Sequence, residues 1–108
     1  MPFEINSEWE AETGRLTLSG ELDLATAPRV EEAVQVMLGR DVRNLTVDLG
    51  SLSFMDSSGL RLLIVLDARA SSENWTLALT RPQESVRRLL QISGVERNLP
   101  FIEDGASE

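Results

Sequence analysis

The sequence predicts an α/β fold: a single domain in which a mixed four- to five-stranded β-sheet is packed with helices. The hydrophobic pattern switches repeatedly between the strand period of two and the helix period of 3.6 residues, in the order β-β-α-β-α-β-α with one more short strand at the end. The chain has 108 residues and 42% of them are apolar, which is enough for one core. We expect the domain to span residues 1–102 and residues 103–108 to form a disordered acidic tail.

The first two strands are expected to form an antiparallel hairpin. Polarity alternates from Phe3 to Trp9, and residues 12–14 have the composition of a turn. Leu16 and Leu18 then alternate with hydroxyl side chains, which predicts a second strand directly after the turn.

An amphipathic helix follows the hairpin. Apolar side chains recur there at the spacing i, i+3, i+4, i+7, i+8: Val30, Ala33, Val34, Met37 and Leu38. Thr26 suits the N-cap and Pro28 suits the first turn. Gly39 suits the C-terminal stop. The sequence thus predicts both ends of the helix.

Two further strands, at residues 45–49 and 75–79, flank a second helix over residues 60–70. Strands that alternate with helices are joined as parallel neighbours by right-handed crossovers. At 100° per residue, apolar side chains cover about 200° of this helix and predict its core face: Leu60, Leu62, Leu63, Ile64, Leu66 and Ala70. Val65 falls outside that stripe and is expected on the solvent side.

A third helix is predicted between Thr80 and Gly94. Thr80 and Gln83 have the spacing of a capping box, and Gly94 suits the C-terminal stop. The apolar face of this helix is expected to consist of Val86, Leu89 and Leu90. Residues 99–102 then predict the short last strand.

The charge of the chain bounds the partners it can have. It carries ten basic and eighteen acidic residues, a formal net charge of −8. Nucleic acids and anionic lipid surfaces are recognised by clustered Lys and Arg, so we predict neither as a direct partner. The acidity favours either plain solubility or a partner with a basic docking face.

No segment resembles a membrane or export signal. The start of the chain lacks the basic and apolar regions of a signal peptide, and the longest apolar run is Leu62–Leu66. A membrane-spanning helix needs about 20 apolar residues. We therefore expect no membrane insertion and a cytoplasmic location.

Conventional catalysis has little support in the composition. The sequence has no His and no Cys, which removes the usual general base near neutral pH, the thiol nucleophile and the commonest zinc ligands. Its glycines form neither of the usual phosphate-binding loops. Paired carboxylates stay open as catalytic groups, but a domain of this size has little room for a deep cleft. We predict a protein that is not an enzyme and has no cofactor or metal of its own.

The most informative segment is 47–60, where a strand and a loop lead to Asp56, Ser57, Ser58 and Gly59 at the start of the second helix. Asp and Ser oxygens accept hydrogen bonds from the free amides of a first helical turn, so capping alone would explain them. The same amides and the helix dipole favour negative charge. A phosphoryl group on Ser57 would add about −1.5 to −2 charges without unfolding the helix, and would alter partner binding more than the fold.

Three motifs resemble those of STAS domains, and specifically of the bacterial anti-sigma factor antagonists. The family's signature is similar to residues 54–60, FMDSSGL, which follow the strand 47–49, VDL. The turn after the family's second strand is similar to residues 18–23, LSGELD. Its third helix and the exit from it are similar to residues 86–90, VRRLL, followed by 93–95, SGV.

The resemblance covers roughly residues 5–102 and implies a partner-switching mechanism. An unmodified antagonist of this family binds an anti-sigma factor that is also a serine kinase, and so frees a sigma factor to direct transcription. The kinase phosphorylates the serine directly after the aspartate, which is Ser57 here, and the phosphoprotein releases the kinase. A PP2C-type phosphatase reverses the modification, and ATP and magnesium belong to the kinase.

The resemblance also implies partner-binding residues. Asp23 and Asp56 match positions near the phosphorylated serine that help to contact the partner, although turn and cap roles would also explain both. Ser58 matches a variable Ser/Thr position, for which capping or support is expected. Gly59 is also counted among the partner-binding residues and is expected to allow close approach.

The helical period adds Arg61 and Val65 to the predicted partner surface. A partner that senses a phosphate on Ser57 must also cover the first turns of the helix that begins there. Val65 lies on the presumed solvent side, one turn from Arg61. A single exposed Val is common and often has no role, which is the alternative.

Two other functions stay open. A STAS module can also be a non-phosphorylated accessory subunit of a lipid or anion transport system that docks on an ATPase through the same helix. The intact sequence Asp56-Ser57-Ser58 favours the antagonist over that alternative. A nucleotide-binding or enzymatic role is disfavoured by the missing phosphate loop.

Overall fold

A computed structural model describes residues 2–102. Its elements, in chain order, are the strands β1 (Glu4–Glu10) and β2 (Thr13–Leu22), helix α1 (Ala27–Gly39), strand β3 (Asn44–Met55), helix α2 (Ser57–Glu73), strand β4 (Thr76–Thr80), helix α3 (Glu84–Ser93), a short 3₁₀ helix (Glu96–Asn98) and strand β5 (Phe101–Ile102). This confirms the predicted order of elements, including the short last strand. The predicted acidic tail, residues 103–108, lies outside the described residues.

The five strands form one mixed sheet in the order β1-β2-β3-β4-β5. β1 and β2 form the expected antiparallel hairpin, and the other neighbours pair in parallel. Because strand order follows chain order, three right-handed crossovers in the same direction place all three long helices on one face of the sheet. The predicted α/β class with a mixed sheet is confirmed.

The core lies between that face and the helices. Alternate residues of β2 from Leu16 to Leu22 are fully buried, while those between them stay partly exposed. The cluster is completed by inward side chains of the other elements: Leu45, Val47, Leu49, Leu77, Leu79, Val30, Val34, Met37, Leu63, Leu66, Val86 and Leu90. Each such side chain contributes about 1.5–3 kcal/mol to stability on burial. The cluster therefore holds the helices against the sheet and, with them, the loops at the ends of the strands.

Asp48 ties together the polar face of the sheet. Its Oδ2 accepts a hydrogen bond from Arg15 Nη2 at 2.8 Å, and its Oδ1 accepts from the Thr80 hydroxyl at 2.8 Å and from the Gly50 amide at 2.9 Å. Burial alone would raise the pKa of Asp48, but these hydrogen bonds and the Arg15 charge outweigh it and hold the pKa below its ordinary value. The network links β2, β3 and β4, so we assign it a structural role.

The ends of α1 differ in detail from the predicted caps. Thr26 is the N-cap residue and Pro28 lies in the first turn, as expected, but the Thr26 side chain makes no capping hydrogen bond. Gly39 is the last residue of α1, as expected. The left-handed backbone that follows belongs to Asp41, with a φ of 67°, so the glycine does not supply it.

The capping box predicted at the start of α3 is wrong. Gln83 is the N-cap residue and makes no side-chain capping bond. Thr80 is the last residue of β4, and its hydroxyl is already engaged by Asp48. Gly94 ends α3 with a φ of 78°, which confirms the predicted stop.

Candidate functional site

Two chain segments meet at the carboxyl ends of β2 and β3. Leu22 and Met55 are the last paired residues of these parallel strands, and the Asp56 amide donates a hydrogen bond to the Leu22 carbonyl at 3.2 Å. The turn into α1 and the junction into α2 therefore lie side by side. In α/β sheets this end of the strands is where binding residues usually lie.

Asp56 is the N-cap residue of α2. Its backbone is extended, and its Oδ1 accepts hydrogen bonds from the amides of Ser58 at 2.8 Å and Gly59 at 3.3 Å. Ser57 is the first helical residue and is exposed, and its hydroxyl makes no hydrogen bond with the part of the chain that the structure describes. Capping therefore accounts for Asp56 and leaves the Ser57 hydroxyl accessible.

Gly59 allows α2 to lie close to the strands. A Cβ atom added there would lie 2.6 Å from Met55 Cγ and 3.0 Å from Leu22 Cγ, both of them in the core. Gly59 is itself buried. Gly59 therefore packs closely against the strands and does not lie on the exposed surface.

Asp23 closes the turn that leads into α1. Its Oδ1 accepts hydrogen bonds from the amides of Ala25 at 3.0 Å and Thr26 at 3.1 Å. The Thr26 hydroxyl in turn donates to the Glu21 carbonyl and accepts from the Asp23 amide, each at 2.9 Å. Asp23 and Asp56 therefore follow neighbouring strands, and each holds its own backbone turn in place.

A shallow cleft between the first turns of α1 and α2 brings three of the predicted residues together. It has a volume of about 280 Å³, and Ser58, Arg61 and Val65 line its α2 side. The opposite side consists of residues of α1 and of the turn before it: Leu24, Ala27, Pro28 and Glu31. Val65 is 37% exposed, which confirms its expected position on the solvent side.

The core face of α2 is narrower than the sequence predicts. The helix buries Gly59, Leu62, Leu63, Leu66 and Ala70, a stripe about 100° wide at 100° per residue. Ile64 was expected in the core but is 43% exposed, so this expectation is wrong. α2 packs on β3, β4 and α1, and the Ile64 flank is left to solvent.

Two exposed apolar residues beside Ser57 were missed from the sequence. Leu24, in the turn before α1, is 77% exposed, and Phe54, near the end of β3, is 46% exposed. Leu24 continues the alternation of β2 beyond the last residue of that strand, Leu22. Phe54 lies within β3, just after an irregularity in the pairing with β2 that shifts which residues are buried. Leu24 lines the same cleft as Val65, whereas Phe54 lies two residues before Asp56.

Other kinds of site find no support among residues 2–102. There, no group of three or more acidic, His or Cys side chains is arranged to hold a metal ion. Within the same range, no helix combines the length and the apolar character needed to cross a membrane.

The fold and the first turn of α2 point to one class of protein. The family model described as "Mlab, STAS domain" matches residues 5–103, which is nearly the whole chain. The chain belongs to the STAS domain family, as the three motifs predicted.

Particular relatives narrow the comparison. An anti-sigma-B factor antagonist of Staphylococcus aureus (strain NCTC 8325 / PS 47) is 27% identical over 105 residues, which cover 97% of this chain and 96% of that protein. An anti-sigma-B factor antagonist of Staphylococcus epidermidis is 30% identical over 88 residues, which cover 82% and 81% of the two chains. The solved structure of the anti-sigma factor antagonist SpoIIAA in its unphosphorylated form is 25% identical, with a TM-score of 0.75 and coverage of 97% of this chain and 92% of that one.

Proposed function

We propose that this chain is an anti-sigma factor antagonist that is switched by phosphorylation of Ser57. Unmodified, it binds an anti-sigma factor that is also a serine kinase, and so regulates sigma-factor-dependent transcription. Phosphorylated, it releases that kinase, and a PP2C-type phosphatase restores the unmodified form. The observation that carries the proposal is the exposed Ser57 hydroxyl, left unengaged because Asp56 caps α2. The names of the relatives support the general role.

In this reaction the chain supplies only an acceptor hydroxyl. A bond forms between Ser57 Oγ and the γ-phosphorus of ATP, the bond from that phosphorus to the bridging oxygen breaks, and ADP leaves. The hydroxyl proton passes to a base on the kinase, and magnesium is held there with the nucleotide. Hydrolysis by the phosphatase uses water and releases inorganic phosphate. We accordingly propose no enzymatic activity and no cofactor for this chain.

The proposed partner surface combines apolar and acidic groups. Leu24 and Val65 are exposed in the cleft between α1 and α2, and Phe54 is exposed near the end of β3. Asp23 and Asp56 directly follow the neighbouring strands β2 and β3. Exposed apolar clusters with a polar rim are typical of protein–protein contact sites. A partner with an apolar centre and basic groups at its edge fits this surface, whereas direct nucleic-acid binding does not fit a charge of −8. We propose that this interaction takes place in the cytoplasm, without membrane insertion.

Mapping of the phosphorylated residue tests the proposal. The chain is incubated with its cognate anti-sigma kinase and ATP–magnesium, and peptides are sequenced by mass spectrometry. We expect phosphate on Ser57, full loss of label in Ser57→Ala, and retained label in Ser58→Ala. Label that persists in Ser57→Ala and is lost in Ser58→Ala would contradict the assignment.

Val65→Glu tests the partner surface separately from the modification. Because Val65 is 37% exposed, we expect the free energy of unfolding to change by no more than about 0.5 kcal/mol. The unphosphorylated variant should bind the anti-sigma kinase clearly more weakly than the wild type, because a charge then enters an apolar contact. Leu63→Ala, in the core beside it, is the control and should cost about 2–5 kcal/mol. A stability loss in Val65→Glu as large as that of the control would show that Val65 is buried and does not belong to the partner surface.

A second candidate function is an accessory subunit of a lipid or anion transport system. The matching family model is described as that of a STAS domain, the domain that both candidate functions share. Pull-down from the chain's own cells separates the two. An ATPase recovered equally by the wild type and by Ser57→Asp supports the transport role. A serine kinase recovered by the wild type and lost with Ser57→Asp supports the antagonist.

A further inference from the structure

Arg61 lies one helical turn after Ser57, on the same exposed side of α2. The two residues are in i and i+4 positions of one helix, where Cβ atoms are about 5–6 Å apart. Both are exposed. The side chain of an arginine at this position is long enough to bring its guanidinium to a group attached to Ser57 Oγ.

The Arg61 guanidinium makes no hydrogen bond or ion pair with any residue from 2 to 102. Its neighbour two turns further along α2 behaves differently, because Arg69 pairs with Glu73 at 3.1 Å and donates to Gln35 at 3.1 Å. Arg40, the residue directly after α1, stacks over the Trp9 ring at 4.3 Å. The chain has eighteen acidic residues. None of those that the structure describes pairs with Arg61, which lies one turn from the proposed modification site.

We propose that Arg61 is the intramolecular partner of phosphorylated Ser57. A phosphoryl group carries about −1.5 to −2 charges and three acceptor oxygens, and a guanidinium donates two parallel hydrogen bonds to such a group. Glu31 lines the same cleft as Arg61, but a single exposed carboxylate attracts it less strongly than the doubly charged phosphate. Asp56, next to Ser57, adds a like charge that makes a nearby cation more favourable.

The pairing changes the cleft as well as the charge. Before modification, Arg61 lines the cleft with Leu24, Glu31 and Val65. Afterwards its guanidinium is drawn toward the phosphate at the start of α2 and away from the cleft. A partner then meets a new negative group and also loses a cation from the surface it contacts. This inference rests on the proposed function only for the natural source of the phosphate.

Phosphoserine placed at position 57 during translation tests the pairing without any kinase. Phosphorus NMR then follows the second ionisation of the phosphate, whose ordinary pKa is about 6, in the wild type, in Arg61→Gln and in Arg88→Gln. Arg88 is the matched control, an exposed arginine on another helix. The amides at the start of α2 are the same in all three proteins, so their effect cancels in the comparison.

We expect the wild type and Arg88→Gln to share one phosphate pKa, and Arg61→Gln to raise it by roughly 0.5 unit. We also expect phosphorylation to raise the melting temperature of the wild type more than that of Arg61→Gln. Equal phosphate pKa values in all three proteins would overturn the pairing, and so would an equal rise in Arg61→Gln and Arg88→Gln. Phosphate mapping by the kinase, described above, is independent of this titration, so failure of one proposal is distinguished from failure of the other.

Discussion

The first turns of α1 and α2 lie side by side, yet they use their hydroxyl side chains in opposite ways. Before α1, the Thr26 hydroxyl is fully engaged, because it donates to the Glu21 carbonyl and accepts from the Asp23 amide. At the start of α2, Asp56 alone caps the helix, and the Ser57 hydroxyl has no partner among residues 2–102. The Thr26 hydroxyl therefore stabilises a turn, whereas the Ser57 hydroxyl is accessible for reaction.

This difference keeps the proposed switch residue, Ser57, apart from the hydrogen bonds that stabilise the fold. A serine that capped its own helix would lose that hydrogen bond when modified, so phosphorylation would disturb the fold. Here the carboxylate of the preceding residue carries the cap, typically about 1 kcal/mol. A phosphate on Ser57, as proposed, would then act on the partner and leave α2 in place.

The largest effect that tests this arrangement is expected at Gly59, which lets the first turn of α2 approach the strands. Gly59→Ala would bring a Cβ atom within 2.6 Å of Met55 Cγ. Overpacking costs about 1–3 kcal/mol and exceeds the gain in helix propensity of up to about 1 kcal/mol. We expect urea denaturation to show a loss of roughly 1–2 kcal/mol.

Gly39→Ala is the matched control for that change. No atom lies within 4 Å of a Cβ added to Gly39 at the end of α1, so stability should stay the same or rise slightly. Equal stability of the two variants would show that α2 does not depend on close packing at Gly59.

An effect of similar size separates the two hydroxyls directly. Thr26→Val keeps the shape of the side chain but removes two hydrogen bonds, so the free energy of unfolding should fall by about 1–2 kcal/mol. Ser57→Ala removes an exposed, unengaged hydroxyl and should change it by less than about 0.5 kcal/mol. Paired urea titrations measure both values. A loss of unfolding free energy in Ser57→Ala as large as that in Thr26→Val would mean that the Ser57 hydroxyl supports the fold and is not free for modification.

The strands, the helices and the first turn of α2 could be predicted because each is encoded locally. Alternating polarity identifies strands, and an Asp before a helix identifies a cap, without knowledge of what packs nearby. Asp56 was predicted as a cap in this way, and Gly94 was identified as a stop for the same reason. The choice of Ser57 as the modified residue rests instead on the resemblance to the anti-sigma factor antagonists.

The errors have a different physical origin, since each depends on a neighbour that is distant in sequence. Ile64 has the spacing of a core residue, but no element within residues 2–102 covers that flank of α2. Thr80 has the spacing of a capping box, but the carboxylate of Asp48, 32 residues away, engages its hydroxyl. Leu24 looks like a continuation of β2, and only the turn closed by Asp23 shows why it is exposed.

The central claim is that a phosphate on Ser57, and not added charge in general, releases the partner. Calorimetric titration of the cognate anti-sigma kinase should compare the unmodified chain with chains that carry phosphoserine at position 57 or at position 71. Ser71 is exposed on the same helix, about 21 Å further along its axis. We predict that phosphoserine at position 57 weakens binding at least tenfold, roughly 1.4 kcal/mol or more, and that phosphoserine at position 71 leaves it nearly unchanged. Equal affinity of all three forms, or equal weakening at the two positions, would contradict a switch located at Ser57.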